Sequence, residues 1–195
     1  MQKTAYYLIN GITLYRVVAS LVLFILIMKG KAALFAWLLP ISFFTDAIDG
    51  FLARRYKVVS VLGARLDSIG DDMTVLMGIL GLIFFKPEFL KQEWVWVLTL
   101  VILLLIQLSV ALYRFGRFTS FHTLLAKVAA LAQGIFLILS FILPEPPLLL
   151  FYVAASITFL DLVEEIIMVS LMQEWKTDIK GWYWMNRIQA NEEHT

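Results

Sequence analysis

Read for its alternation of apolar and polar positions, the chain is a series of long apolar runs broken by short polar interruptions. A bilayer core about 30 Å thick needs about 20 mostly apolar residues of helix. Six runs of that kind fall at about 8–28, 33–54, 64–85, 93–115, 122–143 and 148–172. The interruptions are brief and carry helix breakers or charge: "KGK" at 29–31, "KPEFLKQE" at 86–93 and "PEPP" at 144–147. No soluble domain fits between them, and no internal repeat is evident. The pattern therefore predicts an all-α integral membrane protein, one domain over 1–195 with six transmembrane helices. The tail "WKTDIKGWYWMNRIQANEEHT" mixes aromatic and basic residues, and predicts a short interfacial C-terminal helix with a polar end.

Composition strengthens this picture. Hydrophobic residues make up 61% of the 195 and charged residues 16%, with a mean hydropathy of +0.84. Soluble domains carry roughly 25% charge, so the chain is far too apolar for that class. The net charge of +1 gives no basis for a nucleic-acid partner, and the absence of cysteine removes disulfides and thiolate metal sites. The N-terminal "MQKTAYYLINGITLYRVVAS" lacks an apolar core followed by a small-residue cleavage site, and is expected to stay in the mature protein.

The placement of basic residues sets an orientation. With six spans, both termini share a side with the 55–63 and 116–121 loops. That side holds Lys3, Arg54, Arg55, Lys57, Arg65, Arg114, Arg117, Lys176, Lys180 and Arg187, against Lys29, Lys31, Lys86 and Lys91 opposite. By the positive-inside rule the termini are cytoplasmic. Asp46 and Asp49, late in the second run, and Asp67 and Asp71, early in the third, then lie toward the same cytoplasmic half.

These aspartates are the main chemical signal. The stretch "DAIDGFLARRYKVVSVLGARLDSIGDD", 46–72, holds five of the chain's fifteen acidic residues. Asp46 and Asp49 are spaced i, i+3 and Asp67 and Asp71 i, i+4, so each pair shares a helix face. Four carboxylates converging near a membrane repel one another unless a cation is present. Oxygen ligands favour hard ions, Mg²⁺, Mn²⁺ or Ca²⁺, and two divalent ions would balance four carboxylates and could clamp a phosphate. Gly50, Gly63 and Gly70 leave backbone open to a ligand. A lone aspartate at a helix end is ordinarily solvated or paired, and Asp72 fits that description. Intramembrane carboxylates also serve cation or proton transporters, and on chemistry alone that reading stays open.

The spacing narrows the choice. Asp46, two residues, Asp49-Gly50, two residues, Ala53-Arg54, eight residues, Gly63, three residues, Asp67, three residues, Asp71: this run closely resembles the signature of the CDP-alcohol phosphatidyltransferase family at every position. The resemblance implies transfer of a phosphatidyl group from CDP-diacylglycerol to an alcohol, with release of CMP. A smaller branch transfers a phospho-base from CDP-choline or CDP-ethanolamine to diacylglycerol, but its members are longer with more spans. It implies Asp46, Asp49, Asp67 and Asp71 as ligands of two divalent ions, Mg²⁺ or Mn²⁺, and Asp71 as general base. It implies a nucleotide site at Asp49, Gly50, Ala53, Arg54, Gly63 and Asp67, and a homodimer among membrane lipids. "LINGITLYRVV" is similar to the Asn-x-x-Thr-x-x-Arg stretch that opens many members, adding Asn10 and Thr13 beside the nucleotide. Arg16 has the alternative of snorkelling at a polar helix entry.

The acceptor alcohol is less clearly written. Arg114, Arg117 and Lys127 flank the turn between the fourth and fifth runs, and such a cluster suits a phosphorylated acceptor. Positive-inside bias is the plainer explanation of the same residues. "AKVAALAQ", 126–133, is similar to the Gly-Lys-x-Lys-Thr-x-x-Gln stretch of phosphatidylglycerophosphate synthases only at Lys127 and Gln133, with Ala129 and Ala130 replacing Lys and Thr. Glycerol 3-phosphate and an inositol phosphate both remain open, as do free serine, inositol and a second lipid. His122 and Thr123 read as polar residues at a helix end. Asp161, Glu164 and Glu165 in the sixth run are unusual for a lipid-facing helix, and pairing with a basic residue, acceptor contact and a subunit contact all remain open.

Overall fold

A computed structural model describes Tyr15 and residues 18–56, 61–116 and 123–172; for 46, 47, 49–56, 61–69, 71 and 72 it describes the backbone alone. Among these residues the chain is helical throughout, with no strand. The helices are α1 (described from Val18 to Met28), α2 (Ala32–Tyr56), α3 (Val61–Phe85), α4 (Pro87–Gln92), α5 (Trp94–Phe115), α6 (Leu124–Ile142) and α7 (Leu148–Leu171). Six of them coincide with the six apolar runs. The expected C-terminal interfacial helix and residues 8–14 of the first run lie outside the described residues.

Two boundaries differ from the sequence expectation, each for a local reason. Pro87 reads as a breaker, yet it opens α4, where a missing N–H costs nothing and the fixed φ suits a first turn. Glu88 lies in that first turn and Lys91 in the last, and Lys91 Nζ donates to Glu88 Oε1 at 2.8 Å. The turn expected over 55–63 is also shorter, because α2 continues to Tyr56 and α3 starts at Val61. Gly63 therefore sits on a helix rather than in a loop, as Ala53 and Arg54 do by expectation.

The helix ends that are described close with ordinary chemistry. Gly30, at φ +65°, ends α1: its N–H donates to the Ile27 carbonyl and that of Lys31 to the Leu26 carbonyl, both at 2.9 Å. Gly116, at φ +63°, ends α5 with one bond from its N–H to the Leu112 carbonyl at 2.9 Å. Thr123 opens α6, its hydroxyl accepting from the Ala126 N–H at 2.9 Å.

By internal packing the chain divides into two units, Met1–Lys91 with Leu137–Pro146, and Gln92–Phe136 with Pro147–Thr195. In the first, α2 packs against α3. Two glycines of α3 lie close against side chains of α2 and α6. A Cβ on Gly81 would stand 2.5 Å from Phe35 Cζ and 2.9 Å from Phe141 Cζ; one on Gly78 would stand 2.9 Å from Leu137 Cδ1. Phe35 is fully buried there, its ring 4.8 Å from Phe141 and 5.4 Å from Phe85, centroid to centroid. In the second unit α5 packs along α7, with Ala111, Met168, Val169 and Met172 forming a buried apolar cluster.

Polar side chains are buried beside the apolar core, and many large apolar side chains are exposed. Ser42, Thr123 and Ser140 are wholly buried and Ser20, Thr74 and Gln107 nearly so, whereas Trp37, Leu124 and Leu149 are 72%, 72% and 80% exposed. Helical hydroxyls turn inward on their own backbone: Ser42, Thr45, Thr74, Thr99, Ser109 and Thr158 each donate to the carbonyl four residues earlier. Contiguous apolar surface on this scale marks an interaction with something apolar. Trp94–Phe115 and Leu124–Ile142 are each long and apolar enough to cross a membrane, and shorter apolar helices cover Val18–Met28, Ala32–Thr45 and Met73–Phe85.

The glycine contacts give a direct check on this packing. Gly81→Ala must displace two aromatic rings of a packed cluster and is expected to cost about 1–3 kcal/mol. Gly78→Ala meets only the flexible end of Leu137 and should cost less. Thermal unfolding of the detergent-purified protein measures both, and equal melting temperatures for the two variants would contradict the packing.

Candidate active site

The acidic motif is carried by two consecutive helices that pack together. Asp46, Asp49, Gly50, Ala53 and Arg54 belong to α2, and Gly63, Asp67 and Asp71 to α3. The residues between Tyr56 and Val61 are outside the description. Both aspartate pairs thus have the helical backbone that their i, i+3 and i, i+4 spacings require. The side chains of Asp46, Asp49, Asp67 and Asp71 lie outside the described residues. The described neighbours bracket α3 closely. Gly70, between Asp67 and Asp71, is buried, and its carbonyl accepts from the buried Thr74 hydroxyl at 2.8 Å. Ser20 of α1 donates to Met73 Sδ at 3.7 Å, which brings α1 against α3 two residues beyond Asp71. Asn10, Thr13 and Arg16 lie outside the described residues.

Among described side chains, no group of three or more potential metal ligands occurs. The donor set offered by the motif, four carboxylates on two adjoining helices, has the hard-oxygen character that Mg²⁺ and Mn²⁺ require.

The basic cluster resolves into three different situations. Arg114, in the last turn of α5, donates from Nη1 to the Val169 carbonyl at 2.7 Å and also to the Ser170 carbonyl at the end of α7. These carbonyls lie in the last turn of α7, so the guanidinium caps that helix while lying 5.7 Å over the Phe115 ring. A guanidinium has five N–H donors, so this use does not exhaust it. Lys127 sits exposed on the first turn of α6. Arg117 and His122 are outside the described residues.

The acidic residues of α7 acquire partners that sequence reasoning missed. Gln107 Nε2 of α5 donates to Glu165 Oε2 at 2.9 Å, with both residues buried. Thr123 donates from its hydroxyl to Asp161 Oδ1 at 3.4 Å. On the same helix, Thr158 accepts from Gln133 Nε2 of α6 at 2.6 Å, and the Tyr152 hydroxyl donates to Glu93 Oε1 at 2.8 Å. A seam of polar contacts therefore runs along α7, from Tyr152 to Ser170. One signal was legible: a threonine directly before an apolar helical run, as in "HTLLAK", is a helix-start mark. Its partner 38 residues away was not.

Comparison with known proteins follows the motif. The family model described as CDP-alcohol phosphatidyltransferase matches residues 6–173. CDP-diacylglycerol–inositol 3-phosphatidyltransferase of Saccharomyces cerevisiae is 41% identical over 70 residues, 36% of this chain and 31% of that protein. Phosphatidylcholine synthase of Legionella pneumophila is 40% identical over 63 residues, 30% of this chain and 25% of that one. The chain thus matches about a third or less of each of these relatives. No solved structure gives a significant match.

The Gln107–Glu165 contact carries its own expectation. Gln107→Leu removes a donor from a buried carboxyl and should lower stability by about 1–3 kcal/mol. Glu165→Gln, which keeps an acceptor in place, should cost less. Unfolding of the detergent-purified variants ranks them, and the reverse order would overturn this reading of the pair.

Proposed function

The chain belongs to the CDP-alcohol phosphatidyltransferase family, and on that premise we propose that it transfers a phosphatidyl group from CDP-diacylglycerol to a small hydroxyl acceptor and releases CMP. The observation that carries the proposal is the aspartate spacing, complete from Asp46 to Asp71 and seated on two helices that pack together. The acceptor is a phosphorylated alcohol such as glycerol 3-phosphate or an inositol phosphate, with Arg114, Arg117 and Lys127 as its ligands. A second reading, an unphosphorylated alcohol of the inositol class, is favoured by the similarity to the yeast inositol 3-phosphatidyltransferase.

The family uses divalent metal ions. In our reading Asp46, Asp49, Asp67 and Asp71 hold two, Mg²⁺ or Mn²⁺, which neutralise the pyrophosphate and stabilise departing CMP. The acceptor oxygen forms a bond to the phosphatidyl phosphorus as the bond from that phosphorus to the CMP oxygen breaks. Asp71 takes the hydroxyl proton as attack proceeds, because the alcohol is too weakly acidic to lose it beforehand. Gly50, Ala53 and Gly63 leave room for the cytidine nucleotide, with Arg54, Asn10 and Thr13 around it. Six membrane spans in a single domain, cytoplasmic termini and a cytoplasmic-side active site would leave the acyl chains in lipid and let the soluble acceptor come from water. The apolar outer surface and the inward-turned hydroxyls support that placement. A homodimer is part of the same proposal by family resemblance.

CMP release from CDP-diacylglycerol, followed with glycerol 3-phosphate, myo-inositol phosphate, myo-inositol, serine and choline in turn, tests the assignment and selects the acceptor. No CMP with any of them would contradict it. Asp71→Asn should lower the rate about 10²–10⁴-fold, the span of a general base, whereas Asp72→Asn should change it only a few-fold. Chelation should abolish turnover, and Mg²⁺ or Mn²⁺ should restore it. Unaltered turnover in excess chelator would exclude the metal role.

A further inference from the structure

The end of α5 and the start of α6 are each bonded to α7. In the first, Arg114 is bonded to the Val169 and Ser170 carbonyls. In the second, Thr123 is fully buried and makes three contacts at once. Its hydroxyl oxygen accepts from the Ala126 N–H at 2.9 Å, its carbonyl accepts from the Lys127 N–H at 3.3 Å, and its hydroxyl proton points to Asp161 Oδ1 at 3.4 Å. The first two form the opening turn of α6, which presents Lys127. The third ties that turn to α7. Further along α6, Gln133 is tied to Thr158 of α7 at 2.6 Å. A helix held at two points about three turns apart cannot rotate about its axis, so these contacts fix the direction in which Lys127 leaves it.

We infer that Thr123 and Asp161 are positioning residues for the alcohol acceptor: the hydroxyl–carboxylate contact fixes the start of α6 and, with it, the ammonium of Lys127. This rests on the reading above that Lys127 meets the acceptor. It gives Asp161 a purpose that its place in an apolar helix otherwise lacks, since a carboxylate there must be held by a donor. Thr123 qualifies as that donor while still capping α6, because a hydroxyl can donate and accept together. Neither residue touches the reacting atoms in this account; both act through Lys127.

The test is a separation of Michaelis constants in the CMP-release assay, using the acceptor that the panel selects. Thr123→Val and Asp161→Ala should raise the acceptor KM about tenfold, less than the roughly hundredfold cost of a full 1 Å misplacement. They should leave the KM for CDP-diacylglycerol unchanged. Thr123→Ser and Asp161→Asn keep the donor and the acceptor atom and should stay near wild type. The double variant Thr123→Val/Asp161→Ala should be no worse than the weaker single variant, because the two residues serve one contact. Equal rises in both KM values, additive losses, or a Ser variant as impaired as the Val variant would overturn the inference. Lys127→Ala separates the layers. If it raises the acceptor KM and Thr123→Val does not, the positioning role fails while the acceptor reading stands. If Lys127→Ala leaves the acceptor KM unaltered, the acceptor reading fails and this inference falls with it.

Discussion

Polar groups on helices whose outer faces are apolar have no solvent to turn to, and that constraint organises most of what is seen in this chain. A buried hydroxyl, amide or carboxyl without a partner costs several kcal/mol in an apolar surround. Each class of group meets the constraint differently. Helical Ser and Thr donate to the carbonyl four residues back, which needs no other helix. Gln107 and Gln133 reach across to Glu165 and Thr158, and so convert a local need into helix-to-helix attachment. Arg114 donates to two carbonyls in the last turn of α7, tying α5 to it.

The same constraint bears on the motif. Four carboxylates on two adjoining helices cannot all stay ionised in a low-dielectric region without compensating charge. In the proposed site, bound cations would supply that charge, and a pyrophosphate brought to the cations would supply its counterpart. An enzyme acting on a lipid headgroup needs such a site where apolar chain and water meet, which accounts for strongly acidic residues in a sequence that is 61% hydrophobic.

Much of this was legible in the sequence, because it depends on local periodicity. The apolar runs predicted the helices, and the spacing from Asp46 to Asp71 pointed to the family whose model matches the chain. The exceptions involve context. Pro87 was read as an interruption because proline breaks helices from within, whereas here it stands at a helix start. Asp161 and Glu165 stood out as anomalies, but their partners Thr123 and Gln107 are distant in sequence and unremarkable by themselves. Arg114 is proposed as an acceptor ligand, and its added contact with backbone carbonyls 55 and 56 residues on leaves no trace in a side-chain pattern. Side-chain partners across helices are set by packing, which single-sequence periodicity does not encode.

The central claim is that the two aspartate pairs form one divalent-metal site. Electron paramagnetic resonance of Mn²⁺ titrated into the purified protein with CDP-diacylglycerol present measures it most directly. The account predicts saturable binding of two ions per chain with spin–spin coupling between them, lost when Asp46 and Asp67 are both changed to Asn. Binding of Mn²⁺ by the wild type no stronger than by that double variant would contradict it.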